Sequence, residues 1–328
     1  MMTDGSIQEA FARASATEDA GLLIEHETPR TARVERAPKL PAGLSLGEYR
    51  DIEVSLDPDQ HAYWLRFKRD SAPYFTMNIL REFNRSHRMI HQLDFERAPG
   101  EPEPVNYFVA CSDIPGVFSY GGDLGLFHKC VAARDKSALL AYALSCVETI
   151  YNNAFGFEAP VVSVGIIEGD ALGGGFEAAL SFNVLIAERG VKMGLPETLF
   201  NSFPGMGAFS FLARRLGLTE AEKLILSGEV KTAEQLHQLG VVDILVEKGE
   251  ARNAAREFIA QNKRRHSLLY AMNKVRQKVH PITLQELREV TEIWVDTMMR
   301  FDEADLRRME VIRSAQLRKL KRDLAKGT

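Results

Sequence analysis

The amino-acid sequence predicts an α/β fold in which buried strands alternate with helices. Three observations predict it. Residues 105–111 (VNYFVAC), 160–167 (PVVSVGII) and 182–187 (FNVLIA) are short, mostly apolar runs, as strands covered on both faces must be. Between the first two lies a longer stretch, 137–155, whose Leu139, Leu140, Ala143, Leu144, Val147 and Ile150 recur at helical spacing. Two glycine-rich turns each run from a strand toward a helix, which argues for a parallel-type sheet covered by helices.

The elements follow in order. Residues 1–45 are polar and broken by Pro29, Pro38 and Pro41, which predicts a loosely ordered N-terminal extension. Residues 51–56 alternate polar and apolar, the period of a half-buried strand, and 61–67 form its hairpin partner across Pro58-Asp59. A helix is expected over 78–93 and a loop over 99–104. Beyond the third buried strand, 212–217, 219–226 and 232–239 read as short helices and 241–246 as a strand. From 250 onward the pattern is helical. Leu284, Leu287, Val290, Ile293, Trp294 and Met298 form one apolar stripe, and 302–320 is a charged helix carrying Leu306, Met309, Ile312 and Leu317. The expected division is an extension (1–45), a core (46–265) and a C-terminal helical region (266–328).

The bulk numbers exclude several classes. Net charge is -4 over 328 residues, so no basic field points to nucleic acid. No apolar run approaches the roughly 20 residues of a membrane span, and the N-terminus lacks a charged-then-apolar signal layout. Cys111, Cys130 and Cys146 are irregularly spaced without a CxxC pair, which argues against a disulfide framework or a zinc site. A cytoplasmic protein without metal is the expectation.

The chemistry concentrates in the two glycine-rich loops, 115–124 (PGVFSYGGDL) and 168–177 (EGDALGGGFE). Glycine lets a ligand approach bare backbone, and the second loop leaves free N–H groups at a helix start. A phosphate cradle is one reading, but neither GxGxxG nor GxxxxGK[ST] occurs. The better reading is a pair of backbone donors converging on one oxygen that gains charge during reaction. Asp123 divides evenly between capping the next helix and touching substrate. The basic residues Lys263, Arg264, Arg265, His266, Lys274, Arg276 and Lys278 read as a solvated helix face, or as a docking patch for an acidic carrier or a coenzyme phosphate.

These motifs resemble a known family. ALGGGFE at 171–177, GLPE at 194–197 and FPGMG at 203–207 are similar, in order and spacing, to the enoyl-CoA hydratase (crotonase) superfamily, and FSYGGDL at 118–124 looks like its first oxyanion loop. The resemblance covers roughly residues 48–265. It implies a spiral of repeated ββα units, Glu177 and Glu197 as catalytic carboxylates, and the amides of Tyr120 and Gly174 as an oxyanion hole. Gly121, Gly122, Asp123, Gly173, Leu195, Pro204 and Gly205 would contact substrate. The C-terminal helices would complete the acyl pocket and the subunit interface of a homo-oligomer. Tyr120 stands where typical hydratases carry a small residue, and its side chain is expected to shape the acyl pocket.

One branch is more similar still. The run 114–118 (IPGVF), the variant YGGDL at 120–124, the N-terminal extension and the long helical tail resemble the diffusible signal factor synthases. That implies dehydration of a 3-hydroxyacyl group on an acyl carrier protein, then thioester hydrolysis to a free cis-2-unsaturated acid. No cofactor is implied beyond the thioester carrier. The group's known partners imply a signal-sensor protein as well. The rival readings are an ordinary hydratase or isomerase acting on coenzyme A esters, and a non-catalytic protein that sequesters such a sensor.

Overall fold

A computed structural model describes residues 46–96, 104–156 and 159–326. The expected N-terminal extension and most of the expected loop at 99–104 lie outside the described residues. The first hairpin is strand β1 (Ile52–Asp57) antiparallel to β2 (Ala62–Phe67). Helix α1 (Met77–Phe95) follows, begun by the Thr76 side chain, which accepts from the Ile79 amide.

The chain then repeats one unit. A buried strand crosses a large sheet, a tight turn leads to a three-residue strand in a smaller sheet, and a helix or turn closes the unit. Strands β3 (Tyr107–Ser112), β4 (Val117–Ser119) and helix α2 (Leu124–Ala132) form the first, followed by the long helix α3 (Lys136–Phe155). Strands β5 (Val162–Ile167), β6 (Asp170–Leu172) and helix α4 (Gly174–Leu180) form the second. Strands β7 (Val184–Glu188) and β8 (Lys192–Gly194) lead into a 3-10 turn at Pro196–Phe200.

Helices α5 (Ala208–Leu216) and α6 (Leu218–Ser227), strand β9 (Val230–Thr232), helix α7 (Ala233–Gln238) and strand β10 (Ile244–Val246) complete both sheets. The large sheet runs β1-β2-β3-β5-β7-β10, parallel after its first pair. The small sheet runs β4-β6-β8-β9, parallel except for β8–β9. Every residue of β3 and β5 is buried, which is why both read as unbroken apolar runs.

Helix α8 (Ala251–Asn262) ties the repeats together. Its Arg252 guanidinium grips both Glu168 oxygens, the Ser112 carbonyl and Asp113 at 2.7–3.1 Å. Those acceptors sit on the turns that launch β4 and β6, so one planar donor fork fixes the origin of both glycine-rich loops. Three further helices end the described chain: α9 (His266–Val279), α10 (Leu284–Met298) and α11 (Glu303–Lys326). Helix α10 packs on α3, and α11 packs on α2 and the 3-10 turn. Among the described residues, no helix is long and apolar enough to cross a membrane.

Candidate active site

The two sheets aim the two loops at each other. The first loop leaves β4, and Gly121 turns it with a φ of +92°. The second leaves β6, and Gly173 opens α4 with a φ of +54°. Between them lies a cleft lined by Tyr120, Gly122, Gly173, Gly174, Glu177, Glu197 and Gly205, among others. The approach is close: a β-carbon on Gly174 would stand 3.3 Å from the Gly122 amide nitrogen. Among the described residues neither the Gly122 nor the Gly174 amide has a partner.

The expectation for Tyr120 is corrected here. Its amide already donates to the Pro73 carbonyl at 2.6 Å, while Phe75 donates to Gly121 oxygen at 2.8 Å. This stitch to residues 73–75 turns the Tyr120 amide away from the cleft and leaves Gly122 as the first loop's donor. The Tyr142 hydroxyl strengthens the stitch, donating to Phe75 oxygen at 2.5 Å and accepting from the Asp123 amide at 3.1 Å. Tyr120 is among the residues lining the cleft, and its hydroxyl is buried without a hydrogen-bond partner among the described residues.

Both glutamates are buried in the cleft wall. Glu177 sits on the first turn of α4, where the helix start favours an anion. Its Oε1 accepts from the Met206 amide at 2.8 Å and the Ala208 amide at 3.0 Å. Glu197 sits in the 3-10 turn, and its Oε2 has no hydrogen-bond partner among the described residues. Its Oε1 comes so near Gly173 that a β-carbon there would lie 2.7 Å away. Burial raises both carboxyls well above the ordinary carboxylate range. The Ala208 and Met206 amides pull Glu177 back down, whereas the Glu177 charge pushes Glu197 further up. When the pair holds one proton, Glu197 carries it and Glu177 is the anion.

Other expected contacts divide. Gly205 lines the cleft beside Trp294, and a β-carbon there would meet the indole at 2.1 Å. Asp123 is resolved as the α2 cap, accepting from the Leu126 amide at 3.0 Å, although it also borders a small side pocket. Gly121, Leu195 and Pro204 are not among the residues that line the cleft. The basic residues of α9 belong elsewhere. Arg276 borders a separate cavity at the far end of α4, with Leu180, Phe182 and Arg215, and that cavity contains neither glutamate.

Residues not singled out from the sequence as contacts complete the wall: Leu124, Phe127, Phe200, Met206, Trp294, Ile312 and Gln316. Trp294 and Phe127 meet edge-to-face at 5.1 Å, a contact worth about 1 kcal/mol beyond area burial. The signal for Trp294 and Ile312 was their place on apolar stripes of helices far along the chain. Among the described residues, no group of three His, Cys, Asp or Glu could hold a metal ion.

A spiral of ββα units that brings two buried carboxyls and two glycine amides, unpartnered among the described residues, to one cleft defines a crotonase-type fold. The chain belongs to the enoyl-CoA hydratase/isomerase family, whose model matches residues 98–313. It is 30% identical over 165 residues to mouse mitochondrial methylglutaconyl-CoA hydratase, covering 48% of this chain and 50% of that protein. It is 27% identical over 255 residues to the probable mitochondrial enoyl-CoA hydratase 2 of Arabidopsis thaliana, covering 77% and 73%. The chain thus spans about half the length of the methylglutaconyl-CoA hydratases it matches. Among solved structures it is similar to Pseudomonas aeruginosa DspI, with 26% identity, a TM-score of 0.62, and coverage of 73% of this chain and 92% of that one. It shares its fold with the Bacillus halodurans enoyl-CoA hydratase, with 20% identity, a TM-score of 0.68, and coverage of 80% and 100%.

Proposed function

We propose that this enzyme dehydrates a 3-hydroxyacyl thioester borne by an acyl carrier protein and then hydrolyses the thioester, releasing a cis-2-unsaturated fatty acid that serves as a signal. The carrying observation is the asymmetric glutamate pair between the Gly122 and Gly174 amides. The thioester oxygen accepts from both amides, which stabilise the charge that develops when C2 loses a proton. Glu177, the anion, takes that proton. Glu197 gives its own proton to the C3 hydroxyl, which leaves as water.

This step exchanges the protons of the pair, and the exchanged state suits the second reaction. Glu197, now ionised, removes a proton from water as its oxygen attacks the thioester carbon. The same two amides hold the tetrahedral oxyanion. The carbon–sulfur bond then breaks and Glu177 protonates the departing thiol. Both glutamates return to their starting states.

The reading makes two measurable claims. Incubation with a 3-hydroxydodecanoyl carrier protein should release free cis-2-dodecenoic acid, detected by mass spectrometry. The names of the curated relatives favour a second reading, hydration of an enoyl-CoA; reversible hydration of trans-2-dodecenoyl-CoA without free acid would establish that one instead. The rate of acid release should also follow a bell-shaped pH profile with its maximum shifted to neutral or mildly alkaline pH, because both carboxyls are raised. The acid limb reports loss of the Glu177 base and the alkaline limb loss of the Glu197 proton. A rate that stays flat to pH 10 would rule out Glu197 as the acid.

A further inference from the structure

We propose that the outward face of the second half of α11, formed by Arg318, Lys321 and Arg322, is the surface on which a small acidic carrier protein docks to deliver its thioester-linked acyl chain. The inference rests on the reading above and adds the place where the carrier sits.

Helix α11 has two faces with different duties. Its inward face closes the catalytic cleft through Ile312 and Gln316. The next turns reach the side pocket beside that cleft, where Arg313, Gln316 and Leu317 face Tyr74, Tyr120, Gly122 and Asp123. Tyr120, Gly122, Leu124 and Gln316 line both spaces, so the side pocket adjoins the one that holds the glutamates. A thioester arm arriving beside α11 would therefore enter where the oxyanion donors stand.

The outward face is cationic. Residues 313–323 (RSAQLRKLKRD) hold five basic residues and one acid, in a chain whose net charge is -4. Two of the five are occupied: Arg313 pairs with Glu310, and Lys319 with Asp170 on β6 and with Asp323. Arg318, Lys321 and Arg322 are exposed and make no ion pair among the described residues. At positions i, i+3 and i+4 they share one stripe of the helix.

Shape chooses the occupant. Neither the cleft nor its side pocket is lined by Arg318, Lys321 or Arg322. Small phosphorylated ligands are held in concave sites. A row of long, exposed cations outside both pockets suits the acidic helix of a protein and would speed its encounter by long-range attraction. The basic residues of α9 lack this placement, since Arg276 borders the cavity at the other end of α4.

The test compares one acyl group on two thiols. The triple variant Arg318→Glu, Lys321→Glu, Arg322→Glu should raise KM for 3-hydroxydodecanoyl carrier protein by about tenfold or more, with kcat within about twofold. With the pantetheine thioester of the same acid, kcat/KM should change by less than about twofold, because no long-range attraction is involved. The parent's carrier KM should rise with salt and the variant's should not.

Equal losses on both thioesters would show that the charges only support the shape of α11 and would overturn the proposal. No loss on either would overturn it too. So would a carrier-specific loss in the α9 variant Lys274→Glu, Lys278→Glu, a change of oligomeric mass in the triple variant, or carrier turnover that depends on added anionic vesicles. Should the parent turn over neither thioester, the proposed reaction fails, and docking is read separately by calorimetry with the acyl-free carrier. Heat of binding that disappears in the triple variant would uphold the surface, and no heat with the parent would overturn it.

Discussion

Glu197→Gln is expected to lower kcat about a thousandfold, the middle of the range for removing a general acid or base, while making the protein more stable. Both effects come from one side chain. Glu197 is buried, its Oε2 has no hydrogen-bond partner among the described residues, and its charge faces that of Glu177. Glutamine keeps the shape, removes the proton that leaves with the hydroxyl, and cannot ionise as pH rises, so it avoids the buried charge that the parent acquires above the raised value. The sign of the pH dependence follows. A carboxyl raised in the folded state holds a proton that the unfolded chain releases. Its stabilisation is complete below the unfolded value, near 4.5, and is lost as pH rises through the raised folded value. The parent should therefore lose thermal stability between pH 5 and pH 9, and Glu197→Gln should lose less. Melting curves and single-turnover rates at both pH values check this. Retention of more than about a tenth of the parent rate would be too small a loss for a general acid; identical pH slopes would place the raised charge elsewhere.

Gly175→Ala is expected to destabilise the protein by about 3 kcal/mol or more, the upper range for overpacking, because the added carbon meets main chain and not a movable side chain. A β-carbon at Gly175 would stand 2.1 Å from the Ser119 carbonyl oxygen and 2.7 Å from its carbon. Helix α4 begins directly against the end of β4, and this contact sets the approach of the Gly174 and Gly122 amides. Loss of stability and loss of turnover should therefore come together. Gly190→Ala is the control: its φ is +80°, but nothing lies within 4 Å. It should cost only about 1–2 kcal/mol of left-handed strain and leave kcat unchanged. A Gly175→Ala protein that melts within a degree of the parent would show that the two strands of the spiral can part without penalty.

Much of this arrangement was legible in the sequence because it is local. The buried strands β3 and β5 announce themselves through uninterrupted apolar runs, and the hairpin β1–β2 through alternation. Glu177 and Glu197 are legible because each closes a short motif, ALGGGFE or GLPE, that resembles the crotonase pattern. The three-residue strands β4, β6, β8 and β9 are not, since three residues are too few to display a period. Nor is the choice between the Tyr120 and Gly122 amides. It turns on Pro73, whose carbonyl accepts from the Tyr120 amide across nearly fifty residues of chain. The placement of Trp294 over Gly205 and Phe127 is equally non-local: the stripe shows that the residue is buried, but not against what.

The wall supplied by Trp294, Ile312 and Gln316 has a bearing on biosynthesis. Both acids and both loops leave the ribosome long before those residues do. A nascent chain that already holds both acids and both loops still lacks part of the apolar wall that encloses them. Water would reach the acids freely and keep them ionised together, so a half-made molecule would hold the reactive groups in a harmless state. An enclosed site would arrive late, with the last helices.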